Sequence, residues 1–252
     1  MAGKSKEKPA ATPPDIIPAE GERGFIVGQT GSGKTVFAIW LLMRIKQSPI
    51  FIYDTKEEPK FDALTPNVVV TTIEEMDAAY ANMEIDYVIV RPPIETTSDP
   101  MALDALLLHH YVNYRNSLAD IDEAYMFHKG GRNGPGLLAL MTRGRSRGIT
   151  TICSTQRPAW ISKFLMSEAQ KFYAFFLLLD DDKKRIAGII PGFDELPDPP
   201  KHGFYFFESG KREHTKYGAV RLDRALDMGY TDAQLDPVPE LVIERKAGKI
   251  WL

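Results

Sequence analysis

Between residues 28 and 35 the chain reads Gly28-Gln29-Thr30-Gly31-Ser32-Gly33-Lys34-Thr35, and each residue type there suits a chain of phosphates. Glycines let consecutive backbone N–H groups converge on phosphate oxygens, and a helix that follows adds its partial positive N-terminus. Lys34 supplies a point charge for the outer phosphates of a nucleoside triphosphate. The Thr35 hydroxyl completes the coordination of Mg²⁺. A second group lies well downstream, where Leu118-Ala119-Asp120-Ile121 runs into Asp122-Glu123. Asp122 suits a metal ligand, commonly through water. Glu123 suits a base that takes a proton from, or orients, a water attacking the terminal phosphate. Asp120 makes this stretch less apolar than the usual strand before such a pair. A third stretch, Thr151-Ile152-Cys153-Ser154-Thr155-Gln156, ends in polar groups, and Gln156 can sense the terminal phosphate by hydrogen bonding.

Thr142-Arg143-Gly144-Arg145-Ser146-Arg147-Gly148 places three arginines at the end of an expected helix. The plain reading is that cations there complement the helix dipole. The sharper one is that Arg143, Arg145 or Arg147 is an arginine finger for a neighbouring subunit's phosphate. Residues 127–136, glycine-rich and carrying Lys129 and Arg132, form a loop able to touch a phosphate backbone, or simply a solvated one. His109 and His110 sit on an apolar-periodic helix without a metal-ligand partner set, which points to packing or surface roles. Asp180-Asp181-Asp182 before Lys183-Lys184-Arg185 reads as an acidic helix start, with Arg185 a second candidate phosphate sensor. No Asn-Lys-x-Asp guanine-reading motif is present, which favours ATP.

For these residues to meet, short strands must carry them to one end of a sheet. Residues 24–27 make a buried strand before the glycine turn and 34–45 an apolar-periodic helix after it, the setting that a Walker A phosphate-binding loop (P-loop) requires. Further strands are expected at 50–53, 68–70, 87–90, 117–121, 150–154, 172–179 and 203–207, and helices at 73–80, 101–114 and 137–145. Such alternation predicts an α/β fold with a mainly parallel central sheet flanked by helices. In these sheets ligands sit beyond the carboxyl ends of the strands. Residues 1–20, rich in Lys, Pro and Ala, are expected to be a flexible tail, 21–208 the P-loop core, and 209–252 a C-terminal extension.

At 252 residues, 44% hydrophobic and 26% charged, the chain has the composition of one large globular domain. A net charge of -3 and a pI near 6.0 give no global basic field, so contact with nucleic acid has to come from a local patch. The single Cys153 cannot form an internal disulfide and reads as a small core residue. No stretch approaches the roughly 18 apolar residues of a membrane helix, and a cytoplasmic protein without a membrane span is expected.

Together these motifs resemble the FtsK/HerA superfamily of DNA-translocating ATPases. The likeness rests on residues 28–35, on Tyr53-Asp54-Thr55-Lys56, on Asp122-Glu123, and above all on Arg145-Ser146-Arg147-Gly148-Ile149 running into Ser154-Thr155-Gln156-Arg157-Pro158. Within that superfamily the short chain and the Thr142-Arg143-Gly144-Arg145 segment look like the genome-packaging ATPases of tailless, internal-membrane-containing viruses. The resemblance spans roughly residues 24–207. It implies a RecA-like core, a homo-oligomeric ring (usually a hexamer), and double-stranded DNA driven into a preformed capsid, with capsid or vertex proteins as partners. Other readings are a related motor of conjugation, segregation or repair, a nucleotide-dependent assembly factor without translocation, and a P-loop kinase.

Overall fold

In the computed structural model, residues 16–129, 132–211, 214–218 and 239–243 are described. In chain order the elements are β1 (Arg23–Val27), α1 (Lys34–Arg44), β2 (Ile50–Tyr53), β3 (Asn67–Val70), α2 (Ile73–Ala81), β4 (Tyr87–Val90), α3 (Ile94–Thr97), α4 (Pro100–Asn113) and β5 (Leu118–Ile121). There follow β6 (His128–Lys129), β7 (Arg132–Asn133), α5 (Pro135–Arg143), β8 (Thr150–Thr155), α6 (Lys163–Ser167), β9 (Lys171–Ala174), α7 (Asp180–Ala187), β10 (Phe204–Glu208), β11 (His214–Tyr217) and β12 (Pro239–Ile243). One ten-stranded sheet has the order β12-β11-β10-β9-β1-β8-β5-β2-β4-β3. From β9 to β3 the strands run parallel, while β10, β11 and β12 are added antiparallel.

Strand alternation sorts side chains onto two faces. Phe25, Val27, Phe51, Tyr53, Ala119, Ile121 and Cys153 point into a core covered by α2, α4, α5, α6 and α7. Ile26, Ile50, Ile52, Leu118 and Ile152 point to the other face, packed mainly by α1 through Phe37, Trp40 and Leu41. Burial on both faces explains why β1, β2 and β4 read as nearly continuous apolar runs. Local chemistry sets the helix starts. Thr72 and Glu75 form a reciprocal capping box on α2, and the Asp99 carboxylate accepts from Met101 N, with Pro100 in the first turn of α4.

Three expectations change. The apolar run at 172–179 is strand only to Ala174, and Leu178 and Leu179 are exposed. Beyond Ala174, Phe176 O accepts from Gln29 N at 2.9 Å, which ties this segment to the glycine turn. Within the expected tail, Ile16 is buried, and its carbonyl accepts from the Tyr173 hydroxyl. Beyond Glu208 the sheet continues through β11. The basic loop carries a small ribbon in which Lys129 pairs with Arg132. Residues 130–131 lie outside the described residues, as do most of 209–252.

Candidate functional site

The glycine turn leaves the carboxyl end of β1 and closes on itself, with Ser32 N donating to Gln29 O at 3.2 Å. Two neighbours hold it from the sides. Gly28 N donates to Thr155 O at 3.2 Å, and Gln29 N donates to Phe176 O. A side-chain carbon on Gly28 would stand 2.6 Å from Phe175 Cβ, so close approach, rather than backbone freedom, excludes larger residues there. Gly31 and Gly33, at φ 78° and 106°, are in the left-handed region that glycine tolerates best. Gly33 is the residue before α1, and Lys34 opens the helix.

Lys34 folds back over the turn, its Nζ donating to Gly28 O at 2.6 Å and to Gln29 O at 3.2 Å. Burial lowers its pKa, and the charges of Glu123 and Asp122 work against that shift. Asp122 accepts a 2.6 Å hydrogen bond from Ser154 Oγ. Burial raises its pKa, the Ser154 bond lowers it, and the charge of Glu123 raises it again. Glu123 is almost wholly buried, at 2% exposure, with φ 53°. A left-handed backbone is unusual for a residue with a side chain, and here it swings the carboxylate toward the turn. Both its oxygens are engaged: Oε1 by Lys56 Nζ, and Oε2 by Gln156 N at 3.2 Å. Lys56 has a raised pKa: desolvation acts downward, but the Glu123 hydrogen bond and the charges of Glu123 and Asp122 outweigh it.

Because β8 lies between β1 and β5 in the sheet, its end stands between the glycine turn and the carboxylates. Gln156 touches both. Its Oε1 accepts from Thr30 Oγ1 at 2.5 Å, while its backbone N donates to Glu123. Around these groups opens a cavity of about 550 Å³ lined by Thr30, Lys34, Thr35, Lys56, Asp122, Glu123 and others. That is large enough for a nucleotide. Glycine cradle, buried lysine, a hydroxyl and two carboxylates are a donor set that fits a triphosphate with Mg²⁺. Among the described residues there is no group of three or more His, Cys, Asp or Glu able to hold a metal by themselves.

Lys56 did not stand out as a site residue in the sequence. Its signal was its place in Tyr53-Asp54-Thr55-Lys56 at the end of a parallel strand, a segment that entered only as part of the family likeness. A fixed bracket positions it: Asp54, fully buried, accepts from Glu58 N at 3.1 Å and from Arg91 Nε at 2.9 Å. His202 also lines the cavity and had no signal in the sequence.

The arginines lie elsewhere. A side-chain carbon on Gly21, just before β1, would stand 3.2 Å from Arg145 Cγ. Arg145 is therefore at the amino end of β1, and the glycine turn at its carboxyl end, roughly 16 Å of strand away. Arg143 and Arg145 are exposed. Arg147 is committed within the chain, donating to Val112 O at 2.5 Å and lying over the Tyr111 ring. Arg185 donates to Ala159 O at 2.9 Å, bracing the turn after β8. His110 is buried between the Tyr53 hydroxyl and Ser117 Oγ, at 2.9 and 3.0 Å, and His109 pairs with Asp77 at 2.8 Å. Among the described residues no helix is long and apolar enough to cross a membrane.

No protein-family model matches the chain. Over 181 residues, 69% of this chain and 73% of the other, it is 27% identical to DNA packaging ATPase P9 of Enterobacteria phage PRD1. Its fold is similar to that of the genome packaging NTPase B204 from Sulfolobus turreted icosahedral virus 2, solved with AMPPCP. The TM-score is 0.64 and the identity 17%, covering 79% of this chain and 98% of that one. The DNA-packaging ATPase B204 of Sulfolobus turreted icosahedral virus gives a TM-score of 0.60 at 19% identity, covering 80% and 99%. With the glycine cradle and the paired carboxylates at one end of a mainly parallel sheet, these likenesses give the chain a P-loop NTPase α/β fold, similar to that of viral genome-packaging ATPases.

Proposed function

We propose that this protein hydrolyses ATP and uses the reaction to drive double-stranded viral DNA into a preformed capsid, working as a homo-oligomeric ring, a hexamer in the simplest case. The observation that carries the ATPase part is the convergence of Lys34, Thr35, Asp122 and Glu123 on a single cavity, with Gln156 joining its Thr30 and Glu123 walls. Sequence homology to a phage packaging ATPase supports the packaging part. In this reading residues 21–208 are the motor core.

Residues 28–35 hold the phosphates through backbone N–H groups, and Lys34 exchanges its two carbonyl partners for phosphate oxygens. Thr35 and Asp122 would hold Mg²⁺, which would supply charge neutralisation at the outer phosphates. Glu123 takes the proton of the attacking water. Its Oε2 stays with Gln156 N, so the oxygen free to act is the one that Lys56 now holds. Gln156, joined to Thr30 of the cradle, links the state of the phosphates to the base.

The trans finger is Arg143 or Arg145. Neither reaches the cavity of its own subunit, and Arg147 is occupied by Val112 and Tyr111. Head-to-tail contacts close into rings and set one subunit's edge beside the next one's site. The ring acts in the host cytoplasm and docks on capsid or vertex proteins.

The decisive experiment is the steady-state ATPase rate with and without double-stranded DNA, on protein of measured oligomeric state. Stimulation of an assembled ring is expected. An assembled protein that binds ATP but shows no DNA response would leave an assembly factor in place of a motor.

A further inference from the structure

The hydrolytic groups all stand on one flank of the glycine turn. In sheet order β8 brings Gln156, β5 brings Asp122 and Glu123, and β2 brings Lys56, all on the same side of β1. The terminal phosphate must face them, so the rest of a nucleotide extends toward the opposite flank, that of β9 and β10. On that flank the cavity wall is Phe175 and His202.

The fold holds His202 there firmly. Strand β10 runs antiparallel to β9, with Tyr205 opposite Ala174, so the turn that enters β10 lies at the same sheet end as the glycine turn. Gly203 N donates to Pro200 O at 2.8 Å. A side-chain carbon on Gly203 would come within 2.6 Å of Tyr217 O, so the turn closes tightly only with glycine. His202 itself is held at φ 61°. Such a backbone is uncommon for a side-chain-bearing residue, and it sets His202 against the cradle. A carbon built on Gly33 would be 3.3 Å from His202 Cβ. Yet the imidazole is exposed, and among the described residues no hydrogen bond or ion pair ties it down. A constrained backbone presenting an untied flat ring beside a phosphate cradle suits contact with another flat group.

We propose that His202 is the nucleoside-binding residue of this site, its imidazole stacking on the base of the bound nucleoside triphosphate. The inference rests on the ATP reading above and deepens it by naming what holds the other half of the ligand. Stacking on an aromatic ring accepts any base, so His202 contributes affinity for the nucleoside without choosing strongly among bases.

The test separates the two halves of the ligand. Calorimetric titration of the full chain with ATP and with inorganic tripolyphosphate is compared for wild type, His202→Ala and His202→Phe, each with its thermal midpoint measured. His202→Ala should weaken ATP binding about tenfold and leave tripolyphosphate affinity within about twofold. His202→Phe, which keeps a flat ring, should restore ATP affinity. Unchanged ATP affinity in His202→Ala overturns the proposal. So does an equal loss for tripolyphosphate, which would mean that His202 only props the cradle through Gly33, and so does a failure of phenylalanine to rescue. Wild-type protein that binds neither ligand would instead refute the ATP site itself.

Discussion

Lys34 is the side-chain charge that the glycine cradle itself carries, and Lys34→Ala should abolish tight binding of ATP with Mg²⁺, read by calorimetry. Glu123→Gln should behave differently. The amide keeps the shape and the Gln156 contact but cannot take a proton, so binding survives while single-turnover hydrolysis falls by about 10² or more. If Asp122→Asn shows that phenotype and Glu123→Gln hydrolyses normally, the two carboxylates have been exchanged. Asp120 is a separate case. It sits in β5 between Ile52 and Ile152, 1% exposed, and its Oδ1 has no hydrogen-bond partner among the described residues. Burial first, then the charges of Asp122 and Asp54, raise its pKa well above the usual carboxylate range. A carboxyl whose pKa is raised on folding binds its proton more tightly folded than unfolded. The stability tied to that proton is whole below the unfolded pKa near 4 and is lost as pH rises toward the folded value. Asp120→Asn carries no such loss. Its stability relative to wild type should increase from pH 5 to pH 8, by up to about 1.4 kcal/mol per pH unit. A difference that stays flat with pH in denaturant titrations would show that Asp120 is not held neutral.

At the scale of elements, α4 and α5 are the pair that braces β5, the strand leading to Asp122 and Glu123, from one face. Asp104 of α4 accepts from Gly136 N at 2.7 Å and Leu137 N at 2.8 Å, receiving the free N–H groups of the first turn of α5. The helices meet so closely there that a side-chain carbon on Gly136 would lie 2.4 Å from both Asp104 O and Leu108 N. Gly136→Ala should therefore destabilise by about 2 kcal/mol through overpacking, seen as a lowered denaturation midpoint with helix content retained. An unchanged midpoint would mean that the helices can slide apart freely. Element types and positions were largely legible in the sequence, because 3.6-residue and two-residue periods are local properties: α4 was expected at 101–114 and is found at 100–113. The exception is instructive. The run at 172–179 looks uniform, yet its last five residues lie beyond β9, where Phe175 N donates to Val27 O and Phe176 O accepts from Gln29 N, contacts that no local pattern encodes.

For the whole molecule, the separation of Arg143 and Arg145 from their own cavity makes subunit mixing informative. Arg145→Ala and Glu123→Gln should each assemble and bind ATP, and each should hydrolyse poorly, since an arginine finger adds about 10³ to 10⁵ in rate, or roughly 4 to 7 kcal/mol of barrier. Mixed rings contain interfaces where an intact Glu123 meets an intact Arg145 from a Glu123→Gln neighbour. Partial ATPase should return once subunit exchange is demonstrated. Arg145→Ala with full DNA-stimulated ATPase in an intact ring would transfer the role to Arg143.

Sequence alone marked the glycine turn and the Asp122-Glu123 pair as the candidate site and determined the α/β class, because each depends on residues adjacent in the chain or repeating at a short period. Tertiary structure decided the rest. Lys56 meets Glu123 because β2 and β5 are neighbours in the sheet, 67 positions apart in sequence. His202 reaches Gly33 because β10 folds back antiparallel beside β9. Arg145 is distant from Lys34 because it precedes β8, whereas the cradle follows β1, and parallel neighbours put those two positions at opposite ends of the sheet. Strand order and direction are set by the summed packing of both sheet faces, a long-range property that no local pattern of residue types encodes.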